Sequence, residues 1–462
     1  MTSFTKQLDA TLPFALTGSI VRTEGLAAAV AGFPAPVGAL VEIERQAGGP
    51  VEAEVIGFRD RTTLIYPLGE MTGVRHGNRV RLTRTSRTIR VGLDLLGRVI
   101  DARGRILDSL PLPHLPARMP LSRMPPPATS RPRIDVPLST GVRAIDGLLT
   151  CGLGQRIGIF SGSGVGKSVT LGMMARYTSA DVSVIGLIGE RGREVNDFLE
   201  RDLGPTGLAR SVVVVATSDQ PALLRVQAAM TATTVAEYFR DLGKNVLLVM
   251  DSVTRFAMAQ REIGLAAGEP PTTRGYPPSV YALLPRLIER AGRATRGSIT
   301  AFYSVLVEGD DTNEPVSDVM RGLLDGHVIL SRRLASQAHY PAIDVLESIS
   351  RLFTDIVPAE QQQAAQTVRE LLAAYRDHED LISIGAYRSG ANPAVDAAIV
   401  MRDEINRFLR QSVADSSSVE LARTQLVALA QRCAAARKLA PAAGPMTKSQ
   451  GTIPKQVPNP QS

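Results

Sequence analysis

One stretch of this 462-residue chain carries its clearest chemistry. Arg156-Ile157-Gly158-Ile159-Phe160 reads as an apolar strand, and Ser161-Gly162-Ser163-Gly164-Val165-Gly166-Lys167-Ser168 follows it directly. Strand, Gly-rich loop and helix start, in that order, make a phosphate-binding loop. The glycines let successive backbone N–H groups curl around phosphate oxygens, and the helix N-terminus favours negative charge. In this reading Lys167 reaches the β and γ phosphates and the Ser168 hydroxyl holds Mg²⁺. The strict pattern opens on glycine, where this chain has Ser161, also a small residue. Lysine usage sharpens the assignment. Only six of the 52 basic residues are lysines, and Lys167 is the sole one between Lys6 and Lys244. A compact point charge suits phosphate where a guanidinium fork suits carboxylates.

Two carboxylates belong with that loop. Asp251 ends the apolar run Val246-Leu247-Leu248-Val249-Met250, 84 residues after Lys167. A carboxylate at the tip of a buried parallel strand suits coordination of Mg²⁺ through water, and it could equally cap the helix that follows. Glu190 ends the run 182–188 in the same manner, where it could polarise a water attacking the γ-phosphate.

The elements that position these groups fall into three parts. From Thr17 to Val91 apolar and polar residues alternate with period two, as in Asn78–Thr83, and Gly48-Gly49, Gly69 and Gly77 break the runs; this predicts a small β-barrel or sandwich. Residues 111–137 hold nine prolines, which predicts an extended connector. Apolar runs at 156–160, 182–188, 211–216, 245–250 and 298–305 then alternate with helical stretches, the pattern of an α/β domain with a mostly parallel sheet. Beyond Ala359 the strand signal stops. Val368, Leu371, Leu372 and Tyr375 share one helix face, Asn392-Pro393 opens a second helix, and Val419, Ala422, Leu426, Leu429 and Cys433 line a third. The last 22 residues contain five prolines and read as a flexible tail.

Composition narrows the class. Apolar residues are 44% and charged residues 21%, ordinary globular usage, and no apolar run approaches the roughly 18 residues of a membrane helix. Two distant cysteines and five histidines without a His-x-x-x-His pair leave no disulfide framework or zinc-hydrolase signature. Of the net charge of +7, residues 1–140 supply +6. A basic N-terminal third suits an acidic protein, a lipid headgroup layer or nucleic acid. Single-strand binders need aromatic platforms, however, and the first 110 residues hold only Phe4, Phe14, Phe33, Phe58 and Tyr66. A nucleic-acid partner is therefore not expected.

Longer motifs carry a resemblance. Gly189-Glu190-Arg191-Gly192-Arg193-Glu194-Val195-Asn196-Asp197, the run 268–279 (GEPPTTRGYPPS), the run 309–315 (GDDTNEP) and the run 325–332 (DGHVILSR) resemble the rotary ATP synthase β subunit and its secretion relatives. With SGSGVGKS, Ala301-Phe302-Tyr303 and Glu289-Arg290-Ala291-Gly292, the chain most resembles the flagellar export ATPases of type III secretion, over about residues 17–440. The resemblance implies an α/β fold: a RecA-like P-loop ATPase core with an N-terminal β-barrel and a C-terminal helical domain. The expected divisions are 1–92, 93–356, 357–440 and a tail, 441–462.

The same resemblance implies ATP as substrate with Mg²⁺, bound by Ser161, Gly162, Ser163, Gly164, Val165, Gly166, Lys167 and Ser168, with Tyr340 stacking on adenine. Glu190 positions the attacking water, Arg191 lies near the γ-phosphate, Ser168 and (through water) Asp251 hold the metal, and Arg351 is the arginine finger supplied by a neighbouring subunit. It further implies a homohexamer at the cytoplasmic face of the inner membrane. Expected partners are a flagellar export regulator, a stalk-like protein, the export gate and cargo–chaperone complexes. Only about 16 residues precede the barrel, few for the regulator and membrane contacts made there by relatives. Virulence-type secretion is the alternative. A rotary synthase subunit is disfavoured because Arg376-Asp377-His378-Glu379-Asp380-Leu381-Ile382-Ser383 stands where that subunit has an acidic DELSEED-like segment.

Overall fold

A computed structural model describes residues 16–46, 48–307 and 314–439. The tail 441–462, the residues before 16 and most of the 309–315 motif lie outside the described residues.

Six strands, Thr17–Glu24, Ala27–Ala31, Leu40–Ile43, Val51–Arg59, Thr62–Pro67 and Arg79–Arg84, close into a barrel in the order first, second, fifth, fourth, third, sixth. Alternation explains the closure. In Arg79–Arg84, Val80 and Leu82 point inward and the arginines point to solvent. Ile20, Val30, Val41, Val55 and Ile65 complete the filling. The next strand, Thr88–Val91, leaves the barrel and pairs with Ala117–Pro120. The proline-rich stretch is therefore not wholly irregular, since it supplies one strand of a two-stranded ribbon.

The core is a nine-stranded sheet. Its main path runs Ile343–Ser350, Gly326–Leu330, Arg156–Ser161, Ser298–Leu306, Asn245–Asp251, Val182–Glu190, Ser211–Thr217 and Arg98–Asp101. All are parallel along this path except Ile343–Ser350. Both faces are covered, so the strands are apolar on both sides. Val246, Leu248 and Met250 pack toward helices Ala222–Asp241, Val253–Ala266 and Pro278–Ile288; Leu247 and Val249 face the other way, toward Lys167–Tyr177. Arg98–Asp101 precedes the proline-rich stretch and went unread in the sequence, because four residues show no periodicity.

Helices Ala359–Ser383, Pro393–Leu409 and Val419–Leu439 pack on the same side as Lys167–Tyr177. Asn392 caps the second, its side chain accepting from Ala394 N at 3.0 Å. Arg143 fastens this bundle to the core: its Nε donates to Phe408 O (2.7 Å) and its Nη2 to Arg410 O (2.6 Å).

The barrel joins the core through a buried carboxyl. Glu54 accepts from Arg87 Nη2 at 2.5 Å and from Gln227 Nε2 at 2.9 Å. Burial pushes Glu54 up to about 7, against the pull of Arg87 and Gln227. Between the ordinary carboxyl range and pH 7 the folded chain thus keeps a proton that the unfolded chain has released, and stability falls as pH rises through that window. Glu54→Gln should remove this fall. Relative to the parent, the variant should gain on the order of 2–3 kcal/mol between pH 4.5 and 7.5. Thermal midpoints of both proteins at the two pH values check it; equal slopes would refute it.

Candidate active site

The strand Arg156–Ser161 runs into the interior and releases the chain at the sheet's C-terminal edge, where the loop 162–166 turns into helix Lys167–Tyr177. Gly164 and Gly166 have φ of +76° and +85°, left-handed values that side chains rarely adopt. Val165 is buried and pins the loop, while Ser163 and Gly164 stay exposed. No side chain caps the helix, which leaves its first-turn N–H groups for a phosphate. Ser161 ends the strand, and its carbonyl accepts from Val307 N at 2.9 Å. It is the stem of the loop, where a small side chain fits.

Four charged side chains from four elements converge behind this loop. Lys167 Nζ lies 2.5 Å from Asp251 Oδ1 and 3.8 Å from Glu190 Oε1. Arg255 Nε lies 3.7 Å from Glu190 Oε1. The strand register brings them together, since Leu187 aligns with Asp251 and Glu190 projects three residues further. Asp251 is 3% exposed. It does not cap the next helix; Ser252 does, its Oγ accepting from Arg255 N at 3.3 Å, which leaves the Asp251 carboxylate for the site.

Glu190 is pushed up to about 7, first by burial and then by the charge of Asp251, against the pull of Lys167 and Arg255. Its Oε1 has no hydrogen-bond partner. Glu194, hydrogen-bonded to Glu190, is held below the usual carboxyl range chiefly by that bond. A carboxyl poised near neutral pH with an unpartnered oxygen can take and return a proton of water.

Tyr340 flanks the loop: a Cβ on Gly166 would meet its Cδ1 and Cε1 at 3.5 Å. Tyr340 is 46% exposed and walls a cleft with Arg143, Asn406, Arg410 and Gln411, and Gln411 N donates to Tyr340 O at 3.0 Å. A planar base has room to stack there. Arg191 is not gathered in. Its side chain is 77% exposed and lies 4.0 Å from Glu194.

Arg351 is the outlier. Ile343 aligns with Leu330, and Leu330 with the loop-stem residue Ser161, but the strand then runs antiparallel to its neighbour. Ile343–Ser350 therefore carries Arg351 roughly 25 Å along the sheet edge from its own loop. There Arg351 Nη2 donates to Arg321 O at 3.1 Å, in the last turn of helix Pro315–Leu323. The fold brings Lys167, Glu190, Asp251 and Tyr340 to one place and sets Arg351 on a different face.

Sequence reading missed Arg255 and Glu194. Arg255 had a signal: it stands four residues after the strand-tip Asp251, in the first turn of the next helix. Gly189, at φ +73°, leaves it room, since a Cβ there would meet Arg255 Cδ at 2.7 Å.

Comparison with known proteins identifies two parts of the chain. Residues 141–350 match the ATP synthase alpha/beta family, nucleotide-binding domain, and residues 357–428 match the T3SS EscN ATPase C-terminal domain. The flagellum-specific ATP synthase of Bacillus subtilis (strain 168) is 50% identical over 414 residues, covering 89% of this chain and 94% of that one. The type 3 secretion system ATPase of Xanthomonas euvesicatoria is 50% identical over 404 residues, covering 87% and 91%. The assembled ATPase EscN, in complex with its central stalk EscO from the enteropathogenic E. coli type III secretion system, superposes with a TM-score of 0.83 at 47% identity. It covers 89% of this chain and all of that one.

Proposed function

The chain belongs to the family of flagellum-specific and type III secretion ATPases, and from that premise we propose that it hydrolyses Mg-ATP to drive flagellar protein export. The observation that carries the reading is the convergence of Lys167, Asp251 and Glu190 at the strand ends behind the Gly-rich loop. With ATP bound, the loop N–H groups hold the phosphates, and Lys167 leaves Asp251 for the β and γ oxygens. Ser168, in the first helical turn, and Asp251 acting through water would hold Mg²⁺, which would supply charge neutralisation to the phosphates. Glu190 orients the attacking water with Arg255 beside it, Tyr340 stacks on the base, and Arg191, outside the cluster, would turn inward to reach the γ-phosphate.

Arg351 cannot reach its own loop, so it serves the site of the next subunit, and the site is complete only in a ring. By likeness to the assembled EscN, that ring is a homohexamer on a central stalk-like protein, with the barrels as its collar and the helical domains toward the export gate and cargo–chaperone complexes. Among the described residues no helix is long and apolar enough to cross a membrane. This suits a cytoplasmic motor attached peripherally at the inner membrane. A virulence-type secretion ATPase is the second reading, because the Xanthomonas relative is as similar as the flagellar one.

ATPase rate per subunit against protein concentration, with light scattering on the same samples, tests the shared site. A steep rise that tracks ring formation is expected. A flat rate from a monomer would overturn it.

A further inference from the structure

A cavity of about 120 Å³ lies between the helical domain and the sheet edge, behind Tyr340. It lies apart from the phosphate-loop cluster and shares only part of its wall with the cleft beside Tyr340. Its floor is apolar, built from Ile343 and Val345 of the edge strand and from Leu371, Tyr375, Ala398 and Ile405 of two C-terminal helices. Its other wall is cationic. Arg333 is matched by Glu379 at 2.6 Å, and Arg376 by Asp344 and Glu347. Arg402 is not matched in this way. It lies 3.8 Å from the same Glu379 that Arg333 occupies, sits over the Tyr375 ring, and is lowered from its ordinary value first by burial and then by the charges of Arg333 and Arg410, against the pull of Asp403. Arg410 makes no ion pair among the described residues. His339 also lines the cavity; it is 3% exposed, and its Nε2 has no hydrogen-bond partner.

These features together define a ligand. The buried ring nitrogen of His339, in its Nε2–H tautomer, can donate to an acceptor, and the partly exposed Arg402 and the exposed Arg410 add positive charge to the same wall, which favours an anionic acceptor. The apolar floor offers water few of the two to four partners that it needs, and cavities near about 150 Å³ take up a benzene ring. We propose that this cavity binds a small carboxylate with a benzene-sized apolar body, the carboxylate on Arg402 and the His339 side and the ring on Ile343, Leu371 and Ala398. Gln337, Arg402, Asn406 and Arg410 line both this cavity and the cleft beside Tyr340. An occupant therefore draws the shared wall away from the base cleft. The binding is independent of the proposed function; the effect on ATP rests on Tyr340 being the base-stacking residue.

Benzoate is the probe and benzyl alcohol the uncharged control, each titrated into the nucleotide-free full chain by calorimetry and thermal shift at constant ionic strength. Benzoate should bind saturably and raise the thermal midpoint, and benzyl alcohol should bind at least tenfold more weakly. Ala398→Leu, which fills the cavity, should abolish binding and leave kcat little changed. Arg402→Gln should weaken binding at least tenfold, and it keeps the test decisive if the leucine variant misfolds. Absence of saturable binding to the parent, or undiminished binding to both variants, would overturn the site. Bound benzoate should also raise KM for ATP several-fold with kcat little changed. An unchanged KM together with binding that Ala398→Leu abolishes would overturn the coupling alone and leave the site standing.

Discussion

Lys167→Ala should abolish ATP hydrolysis, with turnover falling by about 10²–10³-fold or more, while the chain remains folded. Among the contacts of the described residues the Lys167 ammonium reaches both carboxylates of the site, and when ATP is bound it moves to the β and γ phosphates. No other lysine stands in the core to replace it before Lys244. The variant also has a stability signature. Without Lys167, buried Asp251 loses its 2.5 Å partner while Glu190 remains beside it. Glu190, which Lys167 helps to hold down, then rises further in the folded state. A raised value makes the variant more stable at low pH and less stable above neutrality. Its thermal midpoint should therefore sit near the parent's at pH 5 and drop below it at pH 8. Full turnover with the lysine gone would end the phosphate-loop assignment. A midpoint deficit equal at both pH values would show that the Lys167–Asp251 contact is not an ion pair in solution.

Arg351→Ala should lower kcat by about 10³–10⁵-fold, the range for an arginine finger, and should leave nucleotide affinity almost unchanged. The sheet topology sets that split: Arg351 stands a strand's length from the loop of its own subunit, so its removal leaves the phosphate and base contacts there intact. The decisive form is a mixture. A subunit lacking Arg351 still has Lys167, and one lacking Lys167 still has Arg351. In rings assembled from equal parts of the two variants, about a quarter of the head-to-tail interfaces hold an intact pair. Activity should reappear on mixing and grow with the fraction of rings reassembled. No recovery, with ring formation confirmed by light scattering, would mean that Arg351 acts within its own subunit or not at all.

Legibility in the sequence followed how local each signal was. The loop could be read because strand, glycines, lysine and helix are contiguous. Asp251 and Glu190 could be read because each ends an apolar run, and the parallel sheet places all such ends on one edge. Arg255 escaped because arginine is everywhere in this chain, and only the turn of helix after Asp251 singles it out. Glu194 escaped because its contact with Glu190 depends on the chain folding back at Arg191, where Glu194 Oε2 accepts the backbone N–H at 3.4 Å. Nothing local distinguishes Arg351 or Tyr340. Their placement depends on an edge strand that runs against its neighbours, and resemblance alone pointed to them. The barrel showed in its alternation, but pairing of Thr88–Val91 with Ala117–Pro120 is non-local and had no trace in periodicity.

That edge strand has a consequence for direction. Tyr340 precedes its first residue, Ile343, and Arg351 follows its last, Ser350. With Arg351 serving the next subunit as proposed, each protomer touches one nucleotide with the front of this strand and its neighbour's with the back. Such a link has a head and a tail. Signals between sites can then circulate clockwise and counter-clockwise with unequal ease, so the sense in which the ring fires is written into the chain direction of eight residues.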